Sequence, residues 1–218
     1  MTEQEWFAAS NREIYCAIAT LTPRRQRLLA AAVCRVVLPW INYPSVQKAL
    51  DVIETFADTG RTRAALRQTR RAIQATQNEL LLSHLGPQHD GVGLALSFVQ
   101  VAASEDANAG TVDDAITALA LTAGIPEEAS RKMLYTTYCE IAGTAGHSVA
   151  FLPEWRTSTT VQLARQMYES RNFSAMPILA DALQDAECDN DDVLNHCREP
   201  SSVHVRGCWV IDRVLNKE

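Results

Sequence analysis

Cys188, His196, Cys197, His204 and Cys208 put five soft metal-ligating side chains into residues 188–208. Zinc takes four such groups in a tetrahedron at about 2.0–2.3 Å. A helix over 203–215 would set His204 and Cys208 four residues apart on one face. The stretch has no Cys-x-x-Cys, however, and the neighbours His196 and Cys197 would diverge by about 100° on a helix. The plainer reading makes Cys197 and Cys208 core residues of a helical hairpin, with the histidines at its turns. The sequence leans that way, so no cofactor is expected and zinc stands as the alternative. The His204–Cys208 spacing also admits a thiol nucleophile beside its base. No third orienting group accompanies that pair, and Cys208 runs directly into Trp-Val-Ile.

Two charged sets need the same weighing. Asp181, Asp185, Glu187, Asp189, Asp191 and Asp192 lack the glycine and terminal glutamate of an EF-hand loop, and read as a solvated acidic turn at a helix start. Arg61, Arg63, Arg67, Arg70 and Arg71 crowd one predicted helix, with Arg63, Arg67 and Arg70 on the face away from Leu66 and Ile73. No aromatic residue is interleaved to stack bases, so this face reads as solvated, or as a dock for an acidic protein partner, rather than as a nucleic-acid surface. A net charge of −6 argues the same way for the whole chain. That charge is divided: residues 1–71 carry 11 Lys/Arg against 6 Asp/Glu, and the rest 9 against 20. The sequence holds no Walker A loop, GxGxxG, HExxH or GxSxG.

The elements that must carry these residues are helices. Ala and Leu supply most of an apolar fraction of 47%, while aromatics are only 6%, which favours helix over sheet. Thr2 with Glu5 and Ser10 with Glu13 have capping-box spacing. Thr22-Pro23 opens a third helix, whose first turn holds Arg24, Arg25 and Arg27, at the wrong end for the dipole; these are expected to be solvated. Ser45 starts and Gly60 stops the next helix. A long helix from Arg61 runs toward Gly86-Pro87. Further helices are expected over 94–104, 111–124 and from Pro126, with a soft boundary near 105–110 and a loop at 143–155. Thr157 or Ser158, Ser174 and Asn190 cap three more helices, and Pro200 ends the last of these. No stretch has the period-2 pattern of a strand. The expectation is an all-α bundle of about nine helices in a single domain, 1–218, ending in an αα-hairpin with a loose helical-repeat look formed by residues 178–186 and 205–215.

The opening MTEQEWF, the run RRQRLLAAAVCRVV and the whole span 155–218 carry a resemblance. The chain resembles a large paralogous group of uncharacterised bacterial proteins with an MTExEW-type start and a C-terminal MPILADALQDAxCDNxDxLxHCR…HVRGCW motif. Two positions depart from that pattern: Glu187 stands where a glycine is usual, and no glycine precedes His204. The resemblance implies an all-helical fold and a cytosolic setting, and no activity. The N-terminal residues lack a signal-peptide pattern, no apolar run reaches the ~20 residues of a membrane span, and six dilute cysteines suit a reducing compartment. Together these readings point to a cytoplasmic, non-catalytic interaction or scaffold module with a protein partner, and to a zinc protein or metal-dependent enzyme as the alternative.

Overall fold

The computed structural model describes residues 1–37, 44–61, 63–82, 96–97, 99–104, 126–143, 149–200 and 202–217. Among these there are ten α-helices and one 3₁₀ turn, and no strand: α1 Glu3–Ala8, α2 Asn11–Ala19, α3 Pro23–Val37, α4 Pro44–Thr59, α5 Arg63–Leu82, α6 Glu127–Ala142, the 3₁₀ turn Pro153–Trp155, α7 Ser158–Ser170, α8 Met176–Asp185, α9 Asp191–Arg198 and α10 Trp209–Leu215. The protein is all-α, and residues 96–97 and 99–102 are helical as well. The expected boundary near 105–110, the helix over 111–124 and the stop at Gly86-Pro87 lie outside the described residues. The chain groups into two compact units, Met1–Tyr138 and Cys139–Glu218, divided within α6. No described helix is long and apolar enough to cross a membrane.

In the first unit, local chemistry sets the starts of α1 and α2 as the spacing predicts, whereas α4 begins at Pro44 and Ser45 lies inside it, its hydroxyl against that of Thr76. Thr2 Oγ1 and Ser10 Oγ accept from the backbone N–H of Glu5 and Glu13, and each glutamate reaches back to the cap's N–H at 2.7 Å. Both carboxyls are held below their usual range by those hydrogen bonds. α4 packs on both α3 and α5, burying Leu28, Leu29, Val33, Leu50, Ile53, Leu66 and Ile73. The arginines of the first turn of α3 correct the expectation of solvation. Arg24 meets Asp58 at 3.0 Å. Arg27 is buried, donates to the carbonyls of Ala102 and Ser104 at 3.1 and 2.6 Å, and lies over the Phe56 ring. Their partners are 34 to 77 residues away in sequence, so pairing with tertiary neighbours, not the helix dipole, governs where they sit.

In the second unit, α7 packs on α8 and α10, and α9 on α8 and α10. The core gathers Trp155, Met167, Leu179, Leu183, Val193, Cys197, Val210 and Ile211. The hairpin partner of α8 is α9, not the segment 205–215 paired with it from sequence. The reason lies in the turn. Cys188 N–H donates to Leu183 O and Glu187 N–H to Gln184 O, the bonding of a Schellman motif. Asn190 then caps α9 by accepting from Val193 N–H at 3.1 Å, so the chain reverses within five residues.

Glu187 occupies the left-handed position of this motif, at φ +63°. That is the position where the resembled group has glycine. A residue with a Cβ there costs about 1–2 kcal/mol, partly offset because glycine loses about 0.5–1 kcal/mol more backbone freedom on folding. Glu187→Gly is therefore expected to raise stability by about 0.5–1 kcal/mol, read as a higher urea midpoint at unchanged slope. A lower midpoint would mean that the exposed carboxylate contributes more than the strain.

Candidate metal centre

Four side chains of the second unit converge on one point. Glu140 comes from the last turn of α6, His196 from α9, and His204 and Cys208 from the segment between α9 and α10. Glu140 Oε1 lies 3.0 Å from His204 Nδ1, and Glu140 Oε2 lies 3.4 Å from His196 Nε2. The same His196 Nε2 lies 3.2 Å from Cys208 Sγ. One ligand atom from each of the four residues falls within 4.8 Å of all the others. A tetrahedron with ligands at about 2.0–2.3 Å from a metal has edges of about 3.3–3.8 Å, within the 4.8 Å that bounds this group.

Two turns bring His204 and Cys208 together. Ser202 N–H donates to Glu199 O, and Cys208 N–H to Val205 O at 3.0 Å, with Gly207 at φ +98°. A positive φ at the third position of such a turn suits glycine. This corrects the expectation of a helix over 203–215: α10 begins at Trp209, so the spacing of four acts through a turn that Gly207 shapes. Cys197 points into the core beside Cys188, 1% and 3% exposed respectively, and neither joins the convergent group. Of the five residues named from sequence, then, His196, His204 and Cys208 come together while Cys188 and Cys197 do not. Among the described residues this is the one His/Cys/Asp/Glu group of that kind; the acidic residues 181–192 form none.

Glu140 was not singled out from the sequence, though a signal exists. It lies on the buried side of α6, with Leu134, Thr137 and Ile141, and no basic residue stands three or four positions away on either side, where Thr136, Thr137, Gly143 and Thr144 sit. An acid on an apolar face without a helical counter-ion seeks a partner from elsewhere.

The surroundings are dry. The side chains of Glu140 and His204 are 5% and 6% exposed, that of His196 is 15% exposed, and Cys208 is fully buried. Rings of His204 and Trp209 flank His196 at 5.0 and 5.2 Å. Burial pushes His196 below its ordinary pKa, against the pull of Glu140. Burial, then the charge of Glu140, pushes the Cys208 thiol well up, and the same causes in the same order raise Cys197 to about 12. A cleft of about 380 Å³, lined by Phe173, Met176, Cys197, Glu199, Ser202 and His204, opens beside the cluster and offers an ion a route in.

The geometry separates two chemistries. A thiol nucleophile needs a linear relay, in which the carboxylate holds one imidazole nitrogen and the sulfur meets the other. Here carboxylate and sulfur meet the same Nε2 of His196, and the thiol is buried in its protonated form. That is a cage, not a relay. The comparisons with known proteins add no family: no family model, no curated protein and no solved structure matches the chain.

Proposed function

We propose that the protein holds one zinc-type divalent ion between Glu140, His196, His204 and Cys208, and that the ion is structural. The observation that carries this is the charge of Glu140. It is buried, its ion-pair partners among the described residues are two histidines, and His196 is held neutral by its surroundings. A buried carboxylate is costly unless a cation or hydrogen bonds compensate it, and a divalent ion supplies a compensating charge. Imidazole, carboxylate and thiolate together suit zinc better than calcium or magnesium, which prefer oxygen ligands. Four protein ligands fill a tetrahedron and leave no position for substrate, which is the pattern of a structural site. A thiolate ligand is kept in that form by a reducing compartment, and all six cysteines are free thiols, in keeping with a cytoplasmic setting. On this reading the protein is a non-catalytic interaction module whose second unit is fixed by metal.

Native mass spectrometry of the full chain, before and after a strong chelator and after titration with zinc, tests it. The expected result is one zinc per chain, removed by chelator, restored by zinc, and lost in Cys208→Ser and His204→Ala. A chain that stays bare at a several-fold excess of zinc would sink the proposal.

A further inference from the structure

The second site lies in the first unit and is independent of the metal. α5 presents Arg63, Arg67, Arg70 and Arg71 to solvent while burying Leu66 and Ile73. No acidic residue occurs between positions 63 and 78, so any counter-charge for these arginines comes from outside this stretch. Like charges three and four apart repel on a helix, and basic residues near a helix N-terminus oppose the dipole.

Arg67, Arg70, Arg71 and Gln74 stand at i, i+3, i+4 and i+7, one stripe of the helix. With Gln100 from the helical residues 99–102 they line a cleft of about 320 Å³. Its wall is fixed by side-chain amides. Gln100 Nε2 donates to Gln74 Oε1 at 2.6 Å, Gln74 Nε2 donates to Asn78 Oδ1 at 3.2 Å, and Gln77 Nε2 donates to Ser97 Oγ at 2.8 Å.

We infer that this cleft binds a compact polyphosphate-type oxyanion through the guanidinium groups of Arg67, Arg70 and Arg71. Planar guanidinium forks match tetrahedral oxyanions bidentately. The volume is at the small end for ligand sites, and the described lining residues are three arginines and two glutamines. These side chains are rich in N–H donors and none is acidic, so the phosphates are the recognised part. A nucleic-acid groove would need stacking platforms along a longer track.

The test uses the full chain and inorganic tripolyphosphate as the probe, followed by isothermal titration calorimetry at low and moderate salt. One saturable site is expected, weakening with salt, with each arginine-to-glutamine change costing about tenfold in affinity. The triple variant R67Q/R70Q/R71Q is expected to lose binding while keeping its helical circular dichroism, because all three residues are exposed. R70K/R71K keeps the charge but not the forks, and is expected to bind about tenfold more weakly than the parent. Equal binding by the lysine variant would overturn a built site in favour of a diffuse charge effect. ATP is expected to bind no more tightly than tripolyphosphate; tighter binding of ATP by tenfold or more would overturn recognition by phosphate alone. Absence of tripolyphosphate binding at millimolar concentration, or duplex DNA binding that tripolyphosphate does not displace, would also overturn the assignment.

Discussion

With metal removed, Glu140→Gln is expected to leave the protein as stable as the parent or about 1–2 kcal/mol more stable; with zinc bound, the same change is expected to lose about 1–3 kcal/mol. The reversal follows from which charge is buried. Without an ion, the carboxylate sits in a dry pocket beside a neutral His196. Replacing an uncompensated buried charge by a neutral amide of the same shape removes its desolvation cost, about 1–2 kcal/mol here. With the ion present, the parent gains about 2.7 kcal/mol at a zinc concentration one hundred times its dissociation constant, and a variant that no longer ligates gains none of it. Urea unfolding in chelator and in zinc, followed by circular dichroism, reads both numbers. A loss of similar size in both conditions would mean that hydrogen bonds from the two histidines hold the carboxylate, and that no ion is needed.

What was legible in the sequence was what local chemistry decides. Thr2, Ser10, Asn190 and, of the pair Thr157 and Ser158, Thr157 cap their helices where spacing places them, because a cap and its N–H are three residues apart. Ser174 does not, and α8 starts from Ala175 without a side-chain cap. Gly60 stops α4 at φ +60° for the same reason. The site was legible in part. His196, His204 and Cys208 are near in sequence and chemically conspicuous, whereas Glu140 lies 64 positions before His204 and looks like one more helical glutamate. Cys188 and Cys197 were indistinguishable from ligands by type; the facing of α9, with His196 toward the cluster and Cys197 into the core, decides between them. The arginines of α3 show the same limit, since their partners arrive from α4 and from residues 102–104.

The buried thiols give the largest pH effect, and zinc should remove part of it. In the metal-free protein, Cys197 and Cys208 have folded pKa values above their ordinary value of 9.0, through burial first and the Glu140 charge second. A group raised on folding contributes stability that is complete below its unfolded pKa and is lost as pH rises above it. By about pH 10, each thiol that stays protonated in the fold while ionising in the unfolded chain costs about 1.4 kcal/mol, hence about 3 kcal/mol for the two. His196 acts on the other side. Its folded pKa is depressed below 6.5, so the unfolded chain binds the proton first and stability falls as pH drops below about 6.5. The metal-free second unit is thus most stable between the two limits. A stoichiometrically zinc-loaded protein enters alkaline conditions with Cys208 already a thiolate, so its loss by about pH 10 should shrink by about 1.4 kcal/mol, the share of Cys208. On the acid side the loss should steepen, because protons compete with the ion for His196, His204 and Cys208. Urea midpoints from about pH 5 to about pH 10, with chelator and with zinc, measure both limbs. Cys197→Ala should remove the Cys197 share of the zinc-independent alkaline loss, while Cys34 and Cys188, also raised by burial, keep theirs. Coincident alkaline limbs with and without zinc would show that Cys208 is no ligand.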